Sequence, residues 1–145
     1  MTGRIICLGN RYLPGDDTGP RVFDHLSATP LPDGVRITDG GLAGLNLLSL
    51  FEGERRVVLI DALAGFAPKG DVAVVGRQEA VDGGPHRHGH AGGLAYLLAV
   101  LPEVCEGEVP EVLLVGTEGT ADESTIRKIA ERALALATDG EARHA

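Results

Sequence analysis

Five short apolar runs punctuate this chain, and the stretches between most of them carry apolar residues at a spacing of three or four. The runs predict strands over about 3–8, 34–39, 56–61, 71–76 and 111–116. The intervening period predicts helices, the first over 18–28 with Pro20 in its opening turn and Val22, Phe23 and Leu26 inward. A second, 42–52, carries Leu42, Leu45 and Leu48 before a Gly53 stop. A third, 90–101, sets Leu94, Leu97, Leu98 and Leu101 at i, i+3, i+4 and i+7, with Pro102 expected to end it. The last, 121–137, opens on the capping-box pattern Thr120-Ala121-Asp122-Glu123 and directs Ile126, Ile129, Ala130, Ala133 and Leu134 inward. Strands alternating with helices predict βαβ units: an α/β three-layer sandwich, with a twisted, mostly parallel five-stranded sheet and helices on both faces.

No repeat or interdomain linker interrupts this order, so residues 1–145 are expected to form one domain, with 139–145 a frayed tail and the glycine-rich 82–93 a loop. A net charge of -8 argues against a nucleic-acid partner, because affinity for a polyanion rests on Lys and Arg. Two cysteines, Cys7 in an apolar strand and Cys105 in a polar connection, make neither a disulfide framework nor a C-x-x-C pair. Met1 to Arg4 lead into a strand without a signal-peptide core, and no apolar run is long enough to cross a bilayer. A cytoplasmic protein with no membrane partner is expected.

Strand ends hold the candidate chemistry. In an open α/β sheet the carboxyl ends of parallel strands share one edge, so Asp16 after the first strand, Asp61 closing Val57-Val58-Leu59-Ile60, and His90 opening a helix can converge on one cation. A carboxylate at the mouth of a buried strand has lost much of its water and needs a partner, a proton or a cation. Asp16 or Asp17 can instead cap the following helix, Asp61 can cap a turn, and His86 and His88 read more readily as members of a solvated loop than as ligands. The loop Gly15-Asp16-Asp17-Thr18-Gly19-Pro20 lacks the lysine and spacing of a phosphate loop, and its carboxylates would repel phosphate. With no G-x-S-x-G elbow, no marked cysteine nucleophile and no H-E-x-x-H, hydrolytic chemistry here would fall to a metal ion.

Ile6-Cys7-Leu8-Gly9-Asn10, Gly15-Asp16-Asp17-Thr18-Gly19-Pro20, Asp39-Gly40-Gly41-Leu42-Ala43-Gly44-Leu45-Asn46-Leu47-Leu48, Val57-Val58-Leu59-Ile60-Asp61-Ala62 and His90-Ala91-Gly92-Gly93-Leu94 stand in this order along the chain. Together they resemble the hydrogenase maturation proteases, over residues 4 to about 116. The resemblance implies a phosphorylase/hydrolase-like fold and an aspartyl-type-like endopeptidase. Its substrate would be the precursor of a nickel-iron hydrogenase large subunit, which loses its C-terminal extension after nickel insertion. It also implies Asp16, Asp61 and His90 as metal-binding and catalytic residues, with Asp17, His86 and His88 as possible auxiliaries. Nickel would arrive with the substrate; zinc or cadmium can occupy such a site in vitro. A non-catalytic nickel-binding accessory protein or chaperone would use the same ligands. Peptidyl-tRNA hydrolase shares the layout and a Leu-Gly-Asn loop, but its Thr-Arg-His-Asn segment is absent.

The chain departs from the family pattern at several points. Gly15 stands where the family usually has aspartate and Asp17 where it usually has glycine, Arg11 and Tyr12 replace aliphatic residues, and Gly116-Thr117-Glu118-Gly119 is shorter than the usual Pro-containing segment.

Overall fold

Val57, Val58, Leu59 and Ile60 are all fully buried, which an alternating strand can achieve only when both faces of its sheet are covered. They belong to β3 (Arg56–Ala62), the middle of a five-stranded sheet of order β2-β1-β3-β5-β4. A computed structural model describes residues 3–41, 45–82 and 90–138, with Leu45 and residues 90–93 described by their backbone alone. The flanking strands are β1 (Gly3–Leu8), β2 (Val35–Gly41), β4 (Ala73–Gly76) and β5 (Glu111–Thr117). β1, β2, β3 and β5 run parallel, and β4 pairs antiparallel with β5 at one margin. The mostly parallel sheet expected from the sequence is the one observed.

Side-chain alternation divides the core into two layers. One face carries Ile5, Cys7, Val58, Ile60, Leu113 and Val115 against α1 (Thr18–Ser27) and α5 (Glu123–Thr138). The other carries Ile6, Leu8, Val57, Leu59, Val112 and Leu114 against α2 (Leu48–Phe51), α3 (Arg77–Asp82) and α4 (His90–Val104). The stripe predicted for α4 is present: Leu97, Leu98 and Leu101 are wholly buried and Leu94 nearly so. Each such leucine contributes about 2 kcal/mol.

Several elements differ from expectation. The predicted helix 42–52 is a 3₁₀ turn at Leu45–Leu47 followed by one α-turn, while residues 42–44 lie outside the described residues. Among the described side chains of that leucine-rich run, Leu47 and Phe51 are the buried ones, an i, i+4 pair that one turn suffices to present. α3 was not anticipated. α5 begins at Glu123 because Asp122, not Thr120, takes the cap: its Oδ1 accepts the Thr125 N–H at 2.8 Å. Leu134 is only partly buried there, and Leu136 and Ala137 complete the inward face.

Pro102 does not end α4, which runs on to Val104. A proline inside a helix leaves the carbonyl four residues back without its donor. That carbonyl, on Leu98, accepts a hydrogen bond from Arg77 Nη1 at 2.8 Å, and the helical pattern resumes with the Cys105 N–H on the Leu101 carbonyl. The predicted tail 139–145 lies outside the described residues.

Candidate functional site

The four parallel strands share a carboxyl edge, and the strand order reverses between β1 and β3: the chain leaves β1 for β2, then returns past β1 to β3. A reversal of this kind opens a crevice at the carboxyl ends, where open α/β sheets hold their ligands. The direction of α4 follows from its far end. The Glu106 N–H donates to both carboxylate oxygens of Glu52, at 3.3 and 3.2 Å, which ties the end of α4 to the approach to β3 at the amino edge. Its 15 residues span about 22 Å, so the opening turn at His90 points to the carboxyl edge.

Asp61 lies on the crevice. Cys7 stands beside Ile60 in the β1/β3 ladder and Asp61 beside Gly116 in the β3/β5 ladder. The alternation that sends Val57 and Leu59 toward α4 sends Asp61 to the same face. Its exposure is 2 %, and Oδ1 accepts the Ala62 N–H at 2.8 Å. Gly116 makes this closeness possible, since a Cβ there would fall 1.8 Å from the Asp61 carbonyl oxygen.

Asp16 is carried by a closed loop after β1. The Asn10 N–H meets both the carbonyl oxygen of Asp16, at 2.9 Å, and its Oδ2, at 3.0 Å. Gly9, at φ +133°, brings the strand so near that a Cβ would lie 2.3 Å from the Asp16 carbonyl oxygen. The Tyr12 N–H donates to Asn10 Oδ1, the Leu13 N–H to the Asn10 carbonyl and the Asp16 N–H to the Leu13 carbonyl. Arg11 braces the outside with a two-pronged bond to Asp24, which holds the Asp24 carboxyl below the usual carboxylate range.

Of the two adjacent aspartates it is Asp17 that stands at the start of α1. Asp17 takes the N-cap position of α1 and its carbonyl accepts the Arg21 N–H at 3.0 Å, but its side chain makes no cap bond. Among the described residues, Asp17 Oδ1 and the hydroxyl of fully buried Thr18 meet no hydrogen-bond partner. His90 opens α4, with its side chain outside the described residues, and His86 and His88 lie outside them altogether. Among the described residues no group of three or more His, Cys, Asp or Glu side chains is arranged to hold a metal ion.

Glu118 and Thr117, noted above only for the length of their segment, also stand at this edge. Glu118 Oε1 accepts the Gly65 N–H at 3.1 Å, joining the loops that follow β3 and β5, and the Thr117 hydroxyl donates to the Asp71 carbonyl at 2.8 Å. Their position directly after the apolar run Val112–Val115 was the available signal. Neither cysteine is activated: burial pushes the Cys7 thiol far up, and desolvation with the nearby Glu52 carboxylate pushes Cys105 up.

Among solved structures, the chain is similar to the hydrogenase maturating endopeptidase HybD from E. coli, with 27% identity, coverage of 94% of this chain and 89% of that one, and a TM-score of 0.72. A solution structure of an endopeptidase from Escherichia coli gives 27% identity, the same coverages and a TM-score of 0.70. The [NiFe] hydrogenase maturation protease HybD from Thermococcus kodakarensis, at 22% identity, shares the fold, with a TM-score of 0.67 over 95% of this chain and all of that one (100%). No curated protein sequence matches the chain. The family model HycI, described as hydrogenase maturation protease, matches residues 20–139, most of the chain's length and both the Asp61 strand and the α4 helix. The chain therefore belongs to the hydrogenase maturation protease family.

Proposed function

We propose that the protein is the endopeptidase that removes the C-terminal extension from a nickel-iron hydrogenase large-subunit precursor, and that it acts after nickel has been inserted. Asp16, Asp61 and His90 would grip the nickel carried by that substrate, with Asp17 near enough in sequence to assist. The observation that carries this reading is Asp61: a carboxylate only 2 % exposed, at the strand-order reversal of a maturation-protease fold, on the face toward α4. Two carboxylates and one imidazole suit a borderline first-row ion. Substrate nickel held there would mark the precursor as loaded and polarise the carbonyl to be attacked. Among the described residues no helix is long and apolar enough to cross a membrane, in keeping with work in the cytoplasm on a protein substrate.

Incubation with a nickel-loaded large-subunit precursor, followed by mass spectrometry, tests the reading. The expected product is shortened at its C-terminus, and Asp61→Ala abolishes the shortening while circular dichroism stays that of wild type. A precursor that is bound yet left at full length would point to a nickel-binding chaperone. In titrations with nickel alone, His90→Ala should weaken affinity far more than His86→Ala; equal losses would remove His90 from the site.

A further inference from the structure

The loop that carries Asp16 ends in a tip with no role in the site just described. Tyr12 is 87% exposed and Leu13 53%, and Pro14 beside them is exposed too. Isolated surface apolar residues are ordinary, but three in succession on a loop tip form a small continuous patch. This patch is also held in place. Asn10 closes the loop on Asp16 from inside, bonds within the turn fix the backbone of residues 12, 13 and 16, and Arg11 clamps the outside to Asp24. A tyrosine presented on a backbone already ordered binds at low entropic cost, which is the property that makes tyrosines anchors at protein interfaces.

We infer that Tyr12 and Leu13 form the docking surface for the polypeptide being processed, gripping an apolar segment of the precursor and so delivering it to Asp16. This inference rests on the proposed function and specifies how the same site selects its substrate. The occupant is argued from continuity: Asp16 and the tip belong to one loop closed by hydrogen bonds, so a precursor chain that reaches the acid comes within a few residues of Tyr12 and Leu13. Of the other large apolar side chains exposed among the described residues, Val104 and Val109 flank the end of α4 and the start of β5 at the opposite edge, and Tyr96 lies midway along α4, with no second exposed apolar residue beside it in sequence.

The test compares the wild-type chain, the double variant Tyr12→Ser/Leu13→Ser and the control Val104→Ser/Val109→Ser. Binding to a nickel-loaded large-subunit precursor is measured by interferometry and cleavage by mass spectrometry. The double variant should keep the wild-type melting temperature, lose about tenfold or more in binding and gain as much in KM with kcat retained, while the control changes neither. Unchanged binding and KM would overturn the inference. So would a fall in kcat alone, which would make the tip a brace for Asp16, or a wild-type dimer that the double variant dissolves, which would make it a contact between copies. If wild type binds the precursor without shortening it, the protease reading fails while the binding comparison still decides the role of the tip. Absence of any binding overturns the docking surface directly.

Discussion

Both edges of the sheet bury charge, and they handle it in opposite ways. At the amino edge, Arg56 opens β3 wholly buried, bonds Glu111 through Nε at 2.9 Å and Nη2 at 2.8 Å, and donates to the Leu136 carbonyl at 2.5 Å. Nearby, buried Glu54 is met by Arg4 at 3.1 Å and by Arg36. At the carboxyl edge, Asp16, Asp61 and Glu118 accept backbone N–H groups from Asn10, Ala62 and Gly65. A guanidinium cancels a carboxylate's charge, whereas a backbone N–H orients it and leaves the charge in place. The first arrangement ties the strand starts to distant elements through ion pairs, and the second fixes the direction in which each carboxylate is held at its edge.

The sharpest way to break this contrast is to neutralise one charge at each edge. Arg56→Ala strips the Leu136 carbonyl and Glu111 of their partner and leaves a buried gap, so urea unfolding should show a loss of about 3 kcal/mol or more. Asp61→Asn keeps an acceptor for the Ala62 N–H and lessens the charge to be desolvated, so its stability should stay within about 1 kcal/mol of wild type while cleavage of the precursor disappears. Equal destabilisation by both changes would mean that the carboxyl-edge carboxylate is as structural as its counterpart.

How much of this was legible in the sequence follows from the range of the interactions involved. The strands and the α4 stripe could be read because neighbouring residues carry the pattern, and Asp61 because it directly follows an apolar run. Arg56 could not: a charge at a strand start reads as solvated, and its partners lie 55 and 80 residues away. Likewise, the loop that closes on Asp16 rests on a bond between Asn10 and Asp16 that composition does not announce. The closeness of Asp61 to β5 was hidden in Gly116, an ordinary glycine until its neighbour is known.

Pro102 extends the amino-edge pattern to a carbonyl. Arg77 follows β4, whose antiparallel course brings its end toward the amino edge, and supplies the donor that Pro102 cannot give to Leu98. Arg77→Ala should therefore cost about 1–2 kcal/mol in urea unfolding. In a Pro102→Ala background the residue 102 N–H can bond Leu98 again, and the same substitution should cost much less. Additive losses would show that Arg77 contributes by packing alone, and that this cation does not belong with Arg56 and Arg4.

The smallest effect concerns a carboxylate at the carboxyl edge that works for the fold. Asp122 caps α5 just beyond β5, and the bond from the Thr125 N–H lowers its pKa below the ordinary value. A depressed folded pKa means that ionised Asp122 favours the folded state above the unfolded pKa of about 4, and that this help fades as pH falls through the lower folded value. Asp122→Ala should accordingly lower the urea midpoint slightly at pH 7, and the gap to wild type should narrow in acid. Asp61→Asn should show no comparable loss at pH 7, because the amide still accepts the Ala62 N–H and no helix end depends on the charge. A gap for Asp122→Ala that persists unchanged into acid would mean that the neutral side chain caps as well as the charged one, and the line between the two kinds of edge carboxylate would then have to be drawn by hydrogen bonding alone.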